Sequence, residues 1–180
     1  MPHPLETERL LLRPFTLDDY EEAYTVLEGH PDVWKFDPGF QRSFEQRAAI
    51  VRRHAETNQP DGEGCLAVTL QQSGALLGYV GLQMYILPTR PFASAEVELF
   101  YKLGQPFWGQ GYALEACREL VRFAFDELHL LRIITITHGQ NERSLRLLGR
   151  LGMSLQPAPE VWEGEMMGIL VNPAAHAYAV

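Results

Sequence analysis

Several features are scarce in this 180-residue chain, and each scarcity excludes something. No apolar run approaches the ~20 residues that a bilayer-spanning helix needs, so membrane association is not expected. The segment Met1-Pro2-His3-Pro4-Leu5-Glu6 lacks the basic region and apolar run of a secretory signal, which makes a cytoplasmic location the expectation. There are only two cysteines, Cys65 and Cys117, without metal-ligand spacing; we expect reduced thiols and no metal. Basic residues are short too, 15 against 23 acidic, for a net charge of −8. Direct nucleic-acid binding is therefore not expected, because phosphate neutralisation needs a surplus of Lys and Arg. A negative surface suits a basic partner or a cationic small molecule, and it also simply keeps a protein soluble. Repeats and low-complexity segments are absent.

What remains is ordinary globular composition, 46% hydrophobic and 21% charged, of a length suited to one domain over 1–180 with a core at 5–172 and a tail at 173–180. Residues 7–14 read as a strand ended by Pro14, and Thr16 as the cap of a helix reaching Leu27. Residues 31–42 form a loop or broken helix carrying Trp34, Phe36 and Phe40, which either line a groove or plug the core. Ser43 caps a second helix to about Thr57. Cys65–Leu70 and Leu76–Tyr85 read as a hairpin, and Pro88 to Pro91 as a break. Ala95–Leu103 is a further strand. The strongest periodicity follows, a helix from Gly109 to about Leu128 with Ala113, Cys117, Leu120, Val121 and Ala124 on one face. A strand at 131–138, a short helix at 141–150 and strands at 152–156 and 161–171 complete an α/β domain. Its mixed sheet would have about seven strands, flanked by about four helices.

The turn Trp108-Gly109-Gln110-Gly111-Tyr112-Ala113 carries the chemistry. Two glycines admit a ligand close to the backbone, and the free N–H groups of a helix start favour an anion such as a diphosphate. Leu114 stands where a dinucleotide fingerprint needs Gly or Ala, and no Lys completes a P-loop. The turn resembles that of the GNAT acetyltransferases, Arg/Gln-x-x-Gly-x-Gly/Ala, with Trp108 replacing Arg or Gln. Thr7-Glu8-Arg9-Leu10-Leu11-Leu12-Arg13-Pro14, then Glu98-Leu99-Phe100-Tyr101-Lys102-Leu103, and Asn141-x-x-Ser144 followed by Gly152-Met153 are similar to the ribosomal-protein-alanine N-acetyltransferase branch. Phe100 stands where that branch usually has Gly. The likeness covers about residues 5–172.

The resemblance implies a GNAT-like fold with a twisted, mostly antiparallel sheet, acetyl-CoA as co-substrate and a primary amine as acceptor. It implies that Tyr101, Lys102 and Leu103 hold the pantetheine arm through backbone groups. Residues 108–113 (Trp108, Gly109, Gln110, Gly111, Tyr112 and Ala113) would hold the pyrophosphate, with Asn141 and Ser144 beside the sulfur.

Acyl transfer to an amine needs a base, an oxyanion donor and a proton donor for the thiolate. Glu98 is the first candidate base and Glu96 the second; the alternative is that both pair with Arg or sit at an exposed strand end. A backbone N–H near Tyr101 would receive the oxyanion. Ser144 is the candidate acid, with Tyr112 as the other hydroxyl, although Ser144 at the third helical position also suits a capping role. Cys65 and Cys117 read as inert core thiols, and His138 as a satisfied polar side chain. The expected function is an N-acetyltransferase acting on a protein or peptide N-terminal α-amine, as monomer or homodimer. The alternatives are a small-amine acetyltransferase for an antibiotic or polyamine, a non-catalytic acyl-CoA-binding regulatory domain, or a purely structural module.

Overall fold

Central strands with apolar residues at consecutive positions need cover on both faces, and that requirement sets the architecture. A computed structural model of the chain describes residues 4–37, 43, 45, 46, 49, 52, 64–87, 94–159 and 163–178. Among these described residues the sheet has eight strands: β1 (Leu5–Glu6), β2 (Leu10–Pro14), β3 (Gly64–Leu70), β4 (Leu76–Leu87), β5 (Ser94–Leu103), β6 (Arg132–His138), β7 (Ser154–Pro157) and β8 (Glu165–Val171). Their order is β1-β2-β3-β4-β5-β6-β8-β7. Every pairing is antiparallel except β5 with β6. Four helices among the same residues flank the sheet: α1 (Tyr20–Ala23, continued by a π-turn over Tyr24–Glu28), α2 (Pro31–Trp34), α3 (Tyr112–Asp126) and α4 (Glu142–Leu151).

On β3, Leu66 and Val68 face the layer of α3 and α4, where they meet Leu120, Phe123 and Leu148. Cys65 and Ala67 alternate to the other face and pack with Phe15, Ala23 and Leu27. The expected hairpin is present, with β4 running two residues further than its predicted end. Helix α3 begins at Tyr112 rather than Gly109, because Gly109 and Gly111 have φ of 77° and 85°, outside the helical range. The expected helix to Thr57 lies almost wholly outside the described residues, as do Phe40 and the break after Leu87.

Of the predicted strand at 7–14 only Leu10–Pro14 is a strand, β2, while β1 lies before that span at Leu5–Glu6. Thr7–Arg9 turns outward, its bend closed by Leu10 N–H donating to Thr7 Oγ1 at 2.9 Å. The cause is Glu115 on α3, which accepts from Thr7 Oγ1 at 2.6 Å, from Arg9 N–H at 2.9 Å and from Arg9 Nε at 2.7 Å. Burial alone would raise the Glu115 pKa, but these donors outweigh it and hold the carboxyl below its ordinary range. Among the described residues, no helix is long and apolar enough to cross a membrane.

Glu115→Ala should therefore cost about 2 kcal/mol, because it strands Thr7 and Arg9 donors against α3. Calorimetry should show Tm falling by roughly 5 °C. Glu142→Ala, which removes an exposed pair with Arg146, should cost under about 0.5 kcal/mol. The Glu115 contribution is present above the ordinary carboxylate range and is lost as pH falls through its lowered pKa, so the two variants should converge in acid.

Candidate active site

Parallel strands β5 and β6 share a single register pair, Glu98 with Ile134, and then part. Side chains take over the hydrogen bonds that the ladder gives up. Thr135 Oγ1 donates to the Leu99 carbonyl at 3.0 Å, and Ile136 N–H donates to the Glu98 carboxylate. Backbone groups alternate along a strand. With Leu99 O turned to Thr135 and Leu103 O accepting Trp108 Nε1 at 2.7 Å, the N–H and C=O of Tyr101 face the gap. Lys102, paired with Tyr79 in register, presents its backbone to β4.

The gap opens into a cleft of about 1400 Å³ that reaches from Gly109 and Gly111 to Phe36 and Glu165. Its two regions differ in charge. Three arginines of α4, Arg143, Arg146 and Arg150, line the cleft, and the Arg143 guanidinium lies 4.5 Å from the Trp108 ring centre. Around Phe36, which stacks on His138 at 5.4 Å, the lining includes Asp37, Glu98 and Glu165, with Lys35 beside the Phe36 ring and Lys102 paired to Asp37. The arginines were not singled out from the sequence; their spacing at i, i+3 and i+7 on α4 was the available clue.

At the first region, Gly111 is the N-cap of α3 with no side-chain cap, so the first-turn amides are free of one. A Cβ at Gly109 would meet nothing within 4 Å, so the space above the turn is open. Arg9 fastens the turn from behind, donating to the Gln110 carbonyl at 3.1 Å and lying 4.4 Å over the Tyr112 ring. Open amides, a helix dipole and nearby arginines fit an anionic ligand such as the diphosphate of coenzyme A.

Glu96 and Glu98 share a strand face and have opposite fates. Arg132 grips Glu96, with Nε at 2.7 Å from Oε2, and Ser94 Oγ adds a bond at 2.6 Å. Burial works against its charge, but Arg132 and Ser94 outweigh that and keep the carboxyl low. Glu98 is buried, and among the described residues no arginine is one of its hydrogen-bond donors. Desolvation lifts its pKa, and the bonds from Gln83 Nε2 (2.6 Å) and Ile136 offset this only in part. The alternative of Arg pairing thus applies to Glu96, whereas Glu98 is a buried carboxylate whose ionisation is disfavoured.

Ser144 is buried, and its backbone N–H donates to Asn141 Oδ1 at 3.2 Å, which is the cap. Its hydroxyl is separate from that bond and lies 2.6 Å from Tyr101 Oη. Asn141 is the N-cap, as its position suggested. His138 Nδ1 accepts Gln140 N–H at 3.1 Å, a satisfied polar side chain. Burial pushes the thiols of Cys65 and Cys117 up, which removes both as nucleophiles. Trp34 is 2% exposed, donates to the Leu27 carbonyl and supports Lys102, whose Nζ reaches Asp37 Oδ2 at 2.6 Å. Phe100, where the likeness led us to expect glycine, sits opposite Gly81 in register, and a Cβ on Gly81 would fall 2.3 Å from its ring. The small residue is on the neighbouring strand.

Residues 9–154 match the acetyltransferase (GNAT) domain family. The chain belongs to that family, and it is an acetyl-CoA-dependent N-acetyltransferase. It is 34% identical over 177 residues to the FsC-acetyl coenzyme A-N(2)-transacetylase of Aspergillus fumigatus, covering 90% of this chain and 73% of that one. It is 26% identical over 149 residues to the N-acetyltransferase YnaD of Bacillus subtilis, covering 83% and 81%. Solved structures share the fold. A GNAT-family acetyltransferase from Bacillus anthracis superposes with a TM-score of 0.77 at 22% identity, over 94% of this chain and 99% of that one. Ribosomal-protein-S5-alanine acetyltransferase from Vibrio fischeri gives 0.70 at 18%, over 95% and 97%. The microcin C7 self-immunity acetyltransferase MccE, solved with acetyl-CoA and AMP, gives 0.71 at 18%, over 92% and 93%.

Gly111→Ala puts a side chain at φ 85° and should cost about 1 kcal/mol in stability. Displacement of the adjacent amides should weaken coenzyme A binding on the order of tenfold in titration calorimetry. Gly149→Ala, inside α4 with nothing within 4 Å of the added Cβ, should leave binding unchanged.

Proposed function

We propose that the protein acetylates a primary amine by direct attack on acetyl-CoA, with a protein or peptide N-terminal α-amine as the acceptor class. The observation that carries this reading is one cleft in which an anion-suited helix start and a buried, elevated carboxylate flank the parting of β5 and β6. The fold shared with MccE, solved with acetyl-CoA, supports the cofactor assignment. The fold shared with the S5-alanine acetyltransferase supports the acceptor class.

In this reading the amides around Gly109–Ala113 and the α4 arginines bind the diphosphate. The pantetheine arm runs along the gap-facing edge at Tyr101, whose N–H serves as oxyanion donor. Glu98 takes the amine proton through a water. The acidic lining around Phe36 draws in a cationic acceptor. An α-amine, which ordinarily titrates near about 8, yields its proton to such a base more readily than Lys at about 10.4. As the C–N bond forms and the C–S bond breaks, Ser144 supports the departing thiolate. A small-amine acceptor is the second reading, favoured by the 34% identity to an N(2)-transacetylase.

Coenzyme A should raise Tm, and thiol release from acetyl-CoA across peptides and small amines should identify the acceptor class. Turnover on small amines with none on any peptide would overturn the first reading. Glu98→Gln should lower kcat on the order of 10²-fold near neutral pH, and the deficit should shrink toward the amine's own pKa. The wild-type rate should fall as pH drops through the raised Glu98 pKa. Because a raised carboxylate pKa means that ionisation costs folded-state stability, Glu98→Gln should match or exceed the wild-type Tm at neutral pH and lose that margin in acid.

A further inference from the structure

Acetyl transfer as described uses only the backbone of Tyr101 and gives its side chain no role. Yet its phenolic oxygen lies 2.6 Å from Ser144 Oγ, and both residues line the cleft. We propose that Tyr101 is a positioning residue for Ser144: the phenol donates its hydrogen to Ser144 Oγ and thereby turns the serine's own O–H toward the thioester sulfur. The inference rests on the acetyl-transfer reading of this cleft.

Three observations lead there. A hydroxyl rotates freely unless something holds it, and Ser144 has its Cα fixed by the Asn141 cap through its backbone, which leaves the hydroxyl direction to be set by another group. Tyr101 is the residue whose main-chain N–H and C=O face the gap, so one residue addresses both ends of the reacting group, carbonyl oxygen by backbone and sulfur through Ser144. Only one of the two hydroxyl hydrogens lies in the bond between them, and the other has to point elsewhere; a phenol, ordinarily near about 10, is far more acidic than an alcohol and so the stronger donor, which leaves the serine hydrogen free. Desolvation pushes the Tyr101 pKa up, so the phenol keeps its proton while negative charge gathers on the sulfur. Cys117 of α3 is the titratable side chain whose charge would act on this phenol, and its own raised pKa keeps it neutral.

Electron and proton balance is simple. The C–S electron pair leaves on sulfur, the amine proton goes to Glu98, and the thiolate accepts a hydrogen bond from Ser144 without taking its proton. A chain of two donors polarises along its length, so the terminal O–H is a better donor than an isolated serine.

The test compares coenzyme A with desulfo-coenzyme A, which lacks the sulfur, in calorimetric titrations between about pH 7 and 9.5, alongside steady-state kinetics. In the wild type, affinity for coenzyme A should rise on the order of tenfold over the desulfo form as the thiol ionises near about pH 8.5. Ser144→Ala should abolish that preference and lower kcat on the order of 10²-fold. Tyr101→Phe should lose most of the preference and lower kcat on the order of tenfold, with KM for acetyl-CoA unchanged. The double variant should be no worse than Ser144→Ala, because Tyr101 acts only through the serine. Multiplying losses, an intact preference in Tyr101→Phe, or a Tyr101→Phe loss larger than that of Ser144→Ala would each overturn the proposal. If Tyr101→Phe does not fold, 3-fluorotyrosine at position 101, a more acidic phenol and stronger donor, should raise the preference for coenzyme A, and an unchanged preference would refute the proposal. Failure of the wild type to bind either coenzyme would instead refute the acetyl-transfer reading.

Discussion

Two parallel strands that pair once and then separate are the constraint on which the site depends. A continuous β5–β6 ladder would consume the backbone groups of Tyr101 and leave no room for a ligand between the sheet's halves. Parting those strands leaves hydrogen-bonding groups unpaired, each costly if buried alone. Thr135 and Glu98 meet that cost by bonding Leu99 O and Ile136 N–H. The carboxylate that stabilises the fork is thus also the one we propose as the base, and among the described residues no arginine donates to it.

Behind the fork, Glu115 joins the N-terminal turn to the first helical turn of α3. Its bonds to Thr7 and Arg9 bring Arg9 over Tyr112 and onto the Gln110 carbonyl, bracing a glycine turn that has little rigidity of its own. This contact spans 106 residues of chain and explains why the Thr-Glu-Arg-Leu segment and the Gly-x-Gly turn belong to one pattern. The wide separation also means that neither segment acquires its final shape before the sheet closes.

How much was legible follows from range. The strand-turn-helix around Gly109, the cap at Asn141 and the periodicity of α3 are local, set by backbone allowances and amphipathic spacing over a few residues. They read correctly, apart from a helix start placed at Gly109 because the sequence does not report positive φ. The bend at Thr7–Arg9 did not show, since an unbroken Thr-Glu-Arg-Leu-Leu-Leu run satisfies strand propensity and the bend is held by Glu115 on distant α3. Eight strands replaced about seven because β1 at Leu5–Glu6, on the far side of that bend, was not expected.

Identical residue types marked the limit most clearly. Glu96 and Glu98 are the same side chain on the same face, and nothing in the residues between 94 and 98 distinguishes an ion-paired carboxylate from a desolvated one. Arg132 and Ile136, contributed by a strand more than thirty positions away, make the distinction. Likewise the residue order specified Asn141 as a cap and Ser144 as a hydroxyl one turn on, while the phenol that reaches that hydroxyl comes from β5. Sequence alone determined the elements, the anion-suited helix start and the candidate side chains, because short-range sterics and periodicity act within a few residues. Tertiary structure alone decided their charge states and orientations, because desolvation and hydrogen-bond partners arise only where distant strands meet.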